Sequence, residues 1–81
     1  MGKLTVQSKS AVDGAYIWAK AYVDGRPFGQ TPIIGKPLPV GVHHVVLRRE
    51  GYLTTSQRVV VQPGVVVVVS LDLLAVPKRG Q

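Results

Sequence analysis

Apolar and polar positions alternate along most of the chain, and no useful stretch repeats apolar residues at the three-to-four spacing of a helix face. Valine, isoleucine, tyrosine and threonine are abundant, which suits pleated, half-buried strands. The alternation predicts strands over 4–12, 15–23, 42–49, 57–62 and 65–74. Turn signals separate them at Asp13-Gly14, Asp24-Gly25 and Pro63-Gly64. Both Asp-Gly pairs suit a two-residue type I′ turn, whose central positions need positive φ. Residues 29–39 carry Pro32, Pro37 and Pro39, so they read as a loop or a pair of short edge segments, never a central strand.

Parity assigns the faces. On the second strand Ala15, Ile17, Ala19, Ala21 and Val23 share one side, and Tyr16, Trp18, Lys20 and Tyr22 share the other. His43, Val45, Leu47 and Arg49 fall together on the third strand. Val59, Val61, Val65, Val67, Val69, Leu71 and Leu73 complete an inner set. Together these faces predict one sandwich core, and the chain is expected to be a small antiparallel all-β domain over 1–75. A basic tail or linker over 76–81 follows. Both ends are expected to be paired or packed. Val65 to Val69 would be core if covered on both sides, and a pairing edge if left open.

The residues also resemble a known family. Gly14-Ala15, Tyr22-Val23-Asp24-Gly25, Gly29-Gln30-Thr31-Pro32, Leu38-Pro39, Gly41, His43, Val45, Leu47 and Gly51-Tyr52 stand in the order of the PEGA domain run G-A-x-V-Y-V-D-G, G-x-T-P, L-P-x-G-x-H-x-V-x-L and G-Y. The resemblance spans nearly the whole chain. It departs in one place: residues 16–21 separate Gly-Ala from Tyr-Val-Asp-Gly, where the family has about two residues. The run before that point, Ala11 to Ala15, also lacks the family's proline. The resemblance implies a small immunoglobulin-like β-sandwich. It also implies an accessory module of bacterial or archaeal surface proteins, or of some bacterial Ser/Thr kinases, with no enzymatic chemistry.

Charge and composition narrow the chemistry. Ten Lys and Arg oppose Asp13, Asp24, Glu50 and Asp72, a formal net charge of +6 that favours acidic partners. The basic residues are scattered, with only Arg48-Arg49 and Lys78-Arg79 adjacent. With no cysteine, disulfides and thiolate metal sites are excluded. No apolar run approaches the ~20 residues of a membrane helix. No apolar segment of signal-peptide type follows Met1-Gly2-Lys3. The expected location is a cell surface or other extracytoplasmic assembly, with the cytoplasm as the alternative.

No nucleophile elbow, phosphate-binding loop or dinucleotide motif is present, and neither catalysis nor a cofactor is expected. His43-His44 is a poor metal pair because strand neighbours point to opposite faces; His43 is expected as a hydrogen-bonded histidine at the core or its rim. The sharper candidates are Tyr16, Trp18, Lys20 and Tyr22 on the lengthened strand, with Arg26 and Phe28 beyond the turn. Outward aromatics on an open sheet can stack on sugars or anchor a protein. The sequence therefore points to a non-catalytic module binding a protein or an anionic glycan. Self-association into a surface layer, fibre or particle coat is the alternative, and nucleic-acid binding is the least favoured. The Gly- and Pro-rich stretch from Ala21 to Pro32 is expected to be turn scaffold first and ligand loop second.

Overall fold

A computed structural model describes residues 1–76; the expected basic tail over 76–81 lies outside them apart from Val76. Seven strands form: β1 (Gly2–Ser10), β2 (Lys20–Val23), β3 (Arg26–Gln30), β4 (Ile33–Leu38), β5 (Gly41–Arg48), β6 (Thr55–Val61) and β7 (Val66–Leu73). They make two sheets, ordered β4-β1-β7 and β3-β2-β5-β6. All pairings are antiparallel except β1 with β7, which run parallel from Lys3 opposite Val66 to Ser10 opposite Leu73. The inner faces meet in one core in which Leu4, Leu47 and Leu73 are fully buried with Val6, Val45 and Val61. Each such side chain contributes roughly 1.5–3 kcal/mol of burial. The chain is thus the all-β sandwich its alternation predicts.

The proline-rich stretch, expected as a loop or two short edge segments, holds the end of β3 and all of β4, and both strands lie at sheet edges. Asp24 and Gly25 both have positive φ, 52° and 80°, and close the β2–β3 hairpin as a type I′ turn. The first Asp-Gly pair behaves differently. Only Gly14 takes positive φ there (72°), and the Gly14 amide donates to the Ser10 carbonyl at 2.9 Å, closing a four-residue loop over 11–14. Asp13 stays out of the left-handed region and accepts the Ala15 amide on its carboxylate at 3.0 Å.

The expected strand over 15–23 is shortened to β2. Residues 15–17 instead pair with the end of β1: the Ser10 amide donates to the Ala15 carbonyl and the Ile17 amide to the Ser8 carbonyl. By residue 20 the chain has joined the other sheet, opposite Gln30 and Arg48. The apolar–polar alternation runs through this sheet switch without a break, which is why it reads as one strand. Ala15, expected inward, is exposed as a result. Val65, also placed inward by parity, is exposed at the turn before β7.

A buried polar relay fixes the switch. The Ser8 hydroxyl donates to the Ile17 carbonyl, the Thr31 hydroxyl lies 2.6 Å from Ser8 Oγ, and the Ala19 amide donates to Thr31 Oγ1 at 2.7 Å. The Thr31 amide returns a bond to the Ala19 carbonyl at 2.8 Å. Ser8 and Thr31 are only 2 % and 3 % exposed, and every hydroxyl in the relay has a partner. The start of β1 is fixed more simply: a side chain at Gly2 would meet the Gln62 carbonyl and Val61 at 2.5 Å, so only glycine lets β1 lie this close to the β6–β7 turn.

Thr31→Val keeps the side-chain shape but strands the Ala19 amide and the Ser8 oxygen. It is expected to cost about 1–3 kcal/mol, measured by urea unfolding. An unchanged midpoint would show that the relay does not hold the switch.

Candidate functional site

The sheet switch sets the position of Trp18. Its neighbours Ile17 and Ala19 are anchored to Ser8 and Thr31, so the indole is carried outward on a fixed segment and stays 44 % exposed. Arg49 reaches it from the end of β5. The guanidinium carbon stands 4.4 Å from the Trp18 ring centre and 5.3 Å from that of Tyr52, and Nη1 donates to the Trp18 carbonyl at 3.1 Å. The guanidinium is therefore stacked against two aromatic faces, an arrangement that suits its planar cation.

Tyr52 is delivered by a tight turn. Its amide donates to the Arg49 carbonyl at 3.0 Å, with Gly51 at φ 85° inside the turn. The last described residues tie that turn down: the Leu53 amide donates to the Leu74 carbonyl and the Val76 amide to the Gly51 carbonyl. Lys20 and Arg48 face one another directly across β2 and β5, and Arg48 lies 6.0 Å from the Tyr22 ring. The result is a cleft of about 400 Å³ lined by Trp18, Lys20, Tyr22, Arg48, Arg49 and Tyr52, with Glu50 as its one acid.

Of the six residues singled out by sequence, Trp18, Lys20 and Tyr22 share this cleft. Tyr16 lines an adjoining groove on the other side of Trp18, with Lys9 Nζ 5.6 Å from its ring. Arg26 and Phe28 lie apart from both, in a recess with Asp24 and His43. Phe28 is buried in the core, and Lys36 sits over its ring and donates to its carbonyl. Arg48, Arg49 and Tyr52 were not singled out as a site. The visible signals were the Arg48-Arg49 pair and Gly51-Tyr52, yet nothing in the linear sequence sets them beside Trp18.

The one ion pair among the described residues lies at the β2–β3 turn. The Asp24 carboxylate accepts the His44 amide at 2.9 Å and meets His43 Nδ1 at 2.6 Å, while His43 Nε2 lies 2.8 Å from the Pro39 carbonyl. His43 is thus the hydrogen-bonded rim histidine its position predicts. Both ring nitrogens face acceptors, an arrangement that favours the doubly protonated ring. The Asp24 contact, and then the Pro39 carbonyl, raise the His43 pKa above its ordinary value. The His44 amide, and then His43, lower that of Asp24.

A profile of the PEGA domain matches residues 1–76. The chain belongs to the PEGA domain family. A search of curated proteins finds no match. In this PEGA domain Tyr22 and Val23 end β2, Asp24 and Gly25 form the β2–β3 turn, and His43 is the Asp24 partner. Residues 16–21, between Gly14-Ala15 and that turn, carry Trp18 through the sheet switch. Among the described residues, no helix is long and apolar enough to cross a membrane.

The Asp24–His43 pair makes stability pH-dependent. The raised His43 pKa contributes stability that is complete below about 6.5 and lost as pH rises through the folded value. The lowered Asp24 pKa contributes stability that is complete above about 3.9 and lost as pH falls through the folded value. Thermal melts from acid to mild alkali are expected to peak between these limits, and His43→Gln is expected to flatten the alkaline fall. A wild-type-to-variant difference that does not vary with pH would contradict the assignment.

Proposed function

We propose that this PEGA domain is a non-catalytic interaction module that holds an anionic partner through the Trp18–Arg49–Tyr52 cleft, as part of an extracytoplasmic assembly. The observation that carries the reading is an imbalance of charge. Lys20 and Arg48 are like charges placed opposite one another on neighbouring strands, an unfavourable arrangement. Arg49 stands beside them, and none of the three has an acidic partner within ion-pair distance among the described residues. An anionic group of a ligand would supply the missing charge, while Trp18, Tyr22 and Tyr52 offer flat faces to whatever carries it.

The cleft contains no nucleophile–base pair; its groups are cations, aromatics, one carboxylate and a threonine. That set suits recognition. Family membership points the same way, to an accessory module of surface proteins.

Binding is tested by following amide and indole resonances while titrating two separate probes, a sulfated hexasaccharide and an acidic peptide. Shifts are expected at Trp18, Arg48, Arg49 and Tyr52 with at least one probe. Arg49→Ala is expected to weaken that binding about tenfold or more, as for an aromatic-stacked arginine at an interface centre. Added salt should weaken it further. No shifts with either probe, or shifts that Arg49→Ala leaves unchanged, would overturn the reading.

A further inference from the structure

Trp18 is a ridge between two hollows of different chemistry. On one side lies the cationic cleft. On the other lies a groove of about 390 Å³ walled by Gln7, Tyr16, Ile17, Pro32 and Ile34, with Ser8 and Thr31 at its base. Ile34 and Tyr16 stand 71 % and 68 % exposed on its rim, large apolar side chains that the sandwich itself does not cover.

The polar groups at the base offer little to a hydrated ligand. The Ser8 hydroxyl donates to Ile17, and Thr31 Oγ1 already serves Ser8 and Ala19. Gln7 is then the one lining side chain with hydrogen bonds to offer, so a sugar seated there would lose water from several hydroxyls and recover few bonds, whereas an apolar side chain would need none. The neighbouring cleft, a single step across the Trp18 ring, asks for a negative charge.

We infer that the two hollows form one site, and that its ligand is an extended peptide segment of a partner protein. One apolar side chain of that segment fills the Tyr16–Ile34 groove, and a nearby aspartate or glutamate lies against Lys20, Arg48 and Arg49. Trp18 packs under the backbone between them. This rests on the anionic-partner reading of the cleft and adds the class of partner and its pattern: acidic and apolar residues a few positions apart.

The test uses the whole chain and a set of capped, fluorescently labelled hexapeptides. Each carries one glutamate, and either leucine or glycine two, three or four positions away. Polarisation titrations are expected to show at least one leucine peptide binding about tenfold or more tightly than its glycine counterpart, the gain from burying one leucine. Ile34→Ser changes an exposed side chain and should keep the fold. It is expected to remove the leucine gain while leaving the glycine peptide's affinity unchanged. Arg49→Ala is expected to weaken both peptides.

Equal affinity of leucine and glycine peptides at every spacing would overturn this inference and leave the anionic-partner reading standing. Tighter binding of the sulfated hexasaccharide, with shifts spreading over Ile34 and Tyr16, would overturn it in favour of a glycan. Absence of binding by every probe would overturn both readings.

Discussion

Three hydrogen bonds inside the sandwich hold the rest of the molecule in place: Ser8 to Ile17, Thr31 to Ser8, and Ala19 to Thr31. They are buried, directional and mutually dependent. Each hydroxyl uses its single proton once and receives once, so loss of either leaves a buried group unsatisfied. They join β1 of one sheet, the segment that leaves it, and the connection between β3 and β4. A domain of this size buries little surface per residue, and hydrophobic contact alone would not select the exact point where the chain changes sheets. The relay makes that selection.

The binding surface follows from that selection. Because residues 17 and 19 are fixed, Trp18 has one direction to face, and the Arg49 guanidinium, just past the end of β5, lies over it and over Tyr52 from the turn that follows. The Arg49–Tyr52 turn is itself held by residues 74–76. Two parts of the chain distant in sequence, the Trp18 segment and the Arg49–Tyr52 turn, thus meet at one guanidinium. The position of the cleft, at the boundary between the regular β2–β5 ladder and the irregular switch, is where a rigid scaffold can present side chains that a strand's strict alternation would separate.

Much of the sandwich was legible because alternation and turn chemistry are local. Asp24-Gly25 reads correctly since both residues adopt positive φ, and Pro37 sits in β4, which lies at a sheet edge as its proline requires. Asp13-Gly14 carries the same two letters but closes a longer loop. There the relay and the pairing of residues 15–17 with β1 fix how far the chain must travel before turning. The sheet switch was illegible for a related reason: parity survives it, so Ala15 to Val23 looks like one uninterrupted strand. The outward direction of Trp18, Lys20 and Tyr22 was readable from that same parity. Arg48, Arg49 and Tyr52 were not, because the register of β2 against β5 and the anchoring of a distant turn decide their place. Phe28 shows the limit of aromatic content as a signal, since its ring belongs to the core.

The central claim is that Lys20, Arg48 and Arg49 are gathered for a partner and at some cost to the free fold. The most direct measurement is the thermal midpoint of Lys20→Gln against the native sequence, at low salt and again near 1 M salt. Removing one of two opposed cations should raise the low-salt midpoint by a few degrees. The gain should shrink near 1 M, where charges are screened beyond about 3 Å. A variant that melts lower at low salt, or a difference indifferent to salt, would show that the cluster stabilises the free domain and would contradict the account.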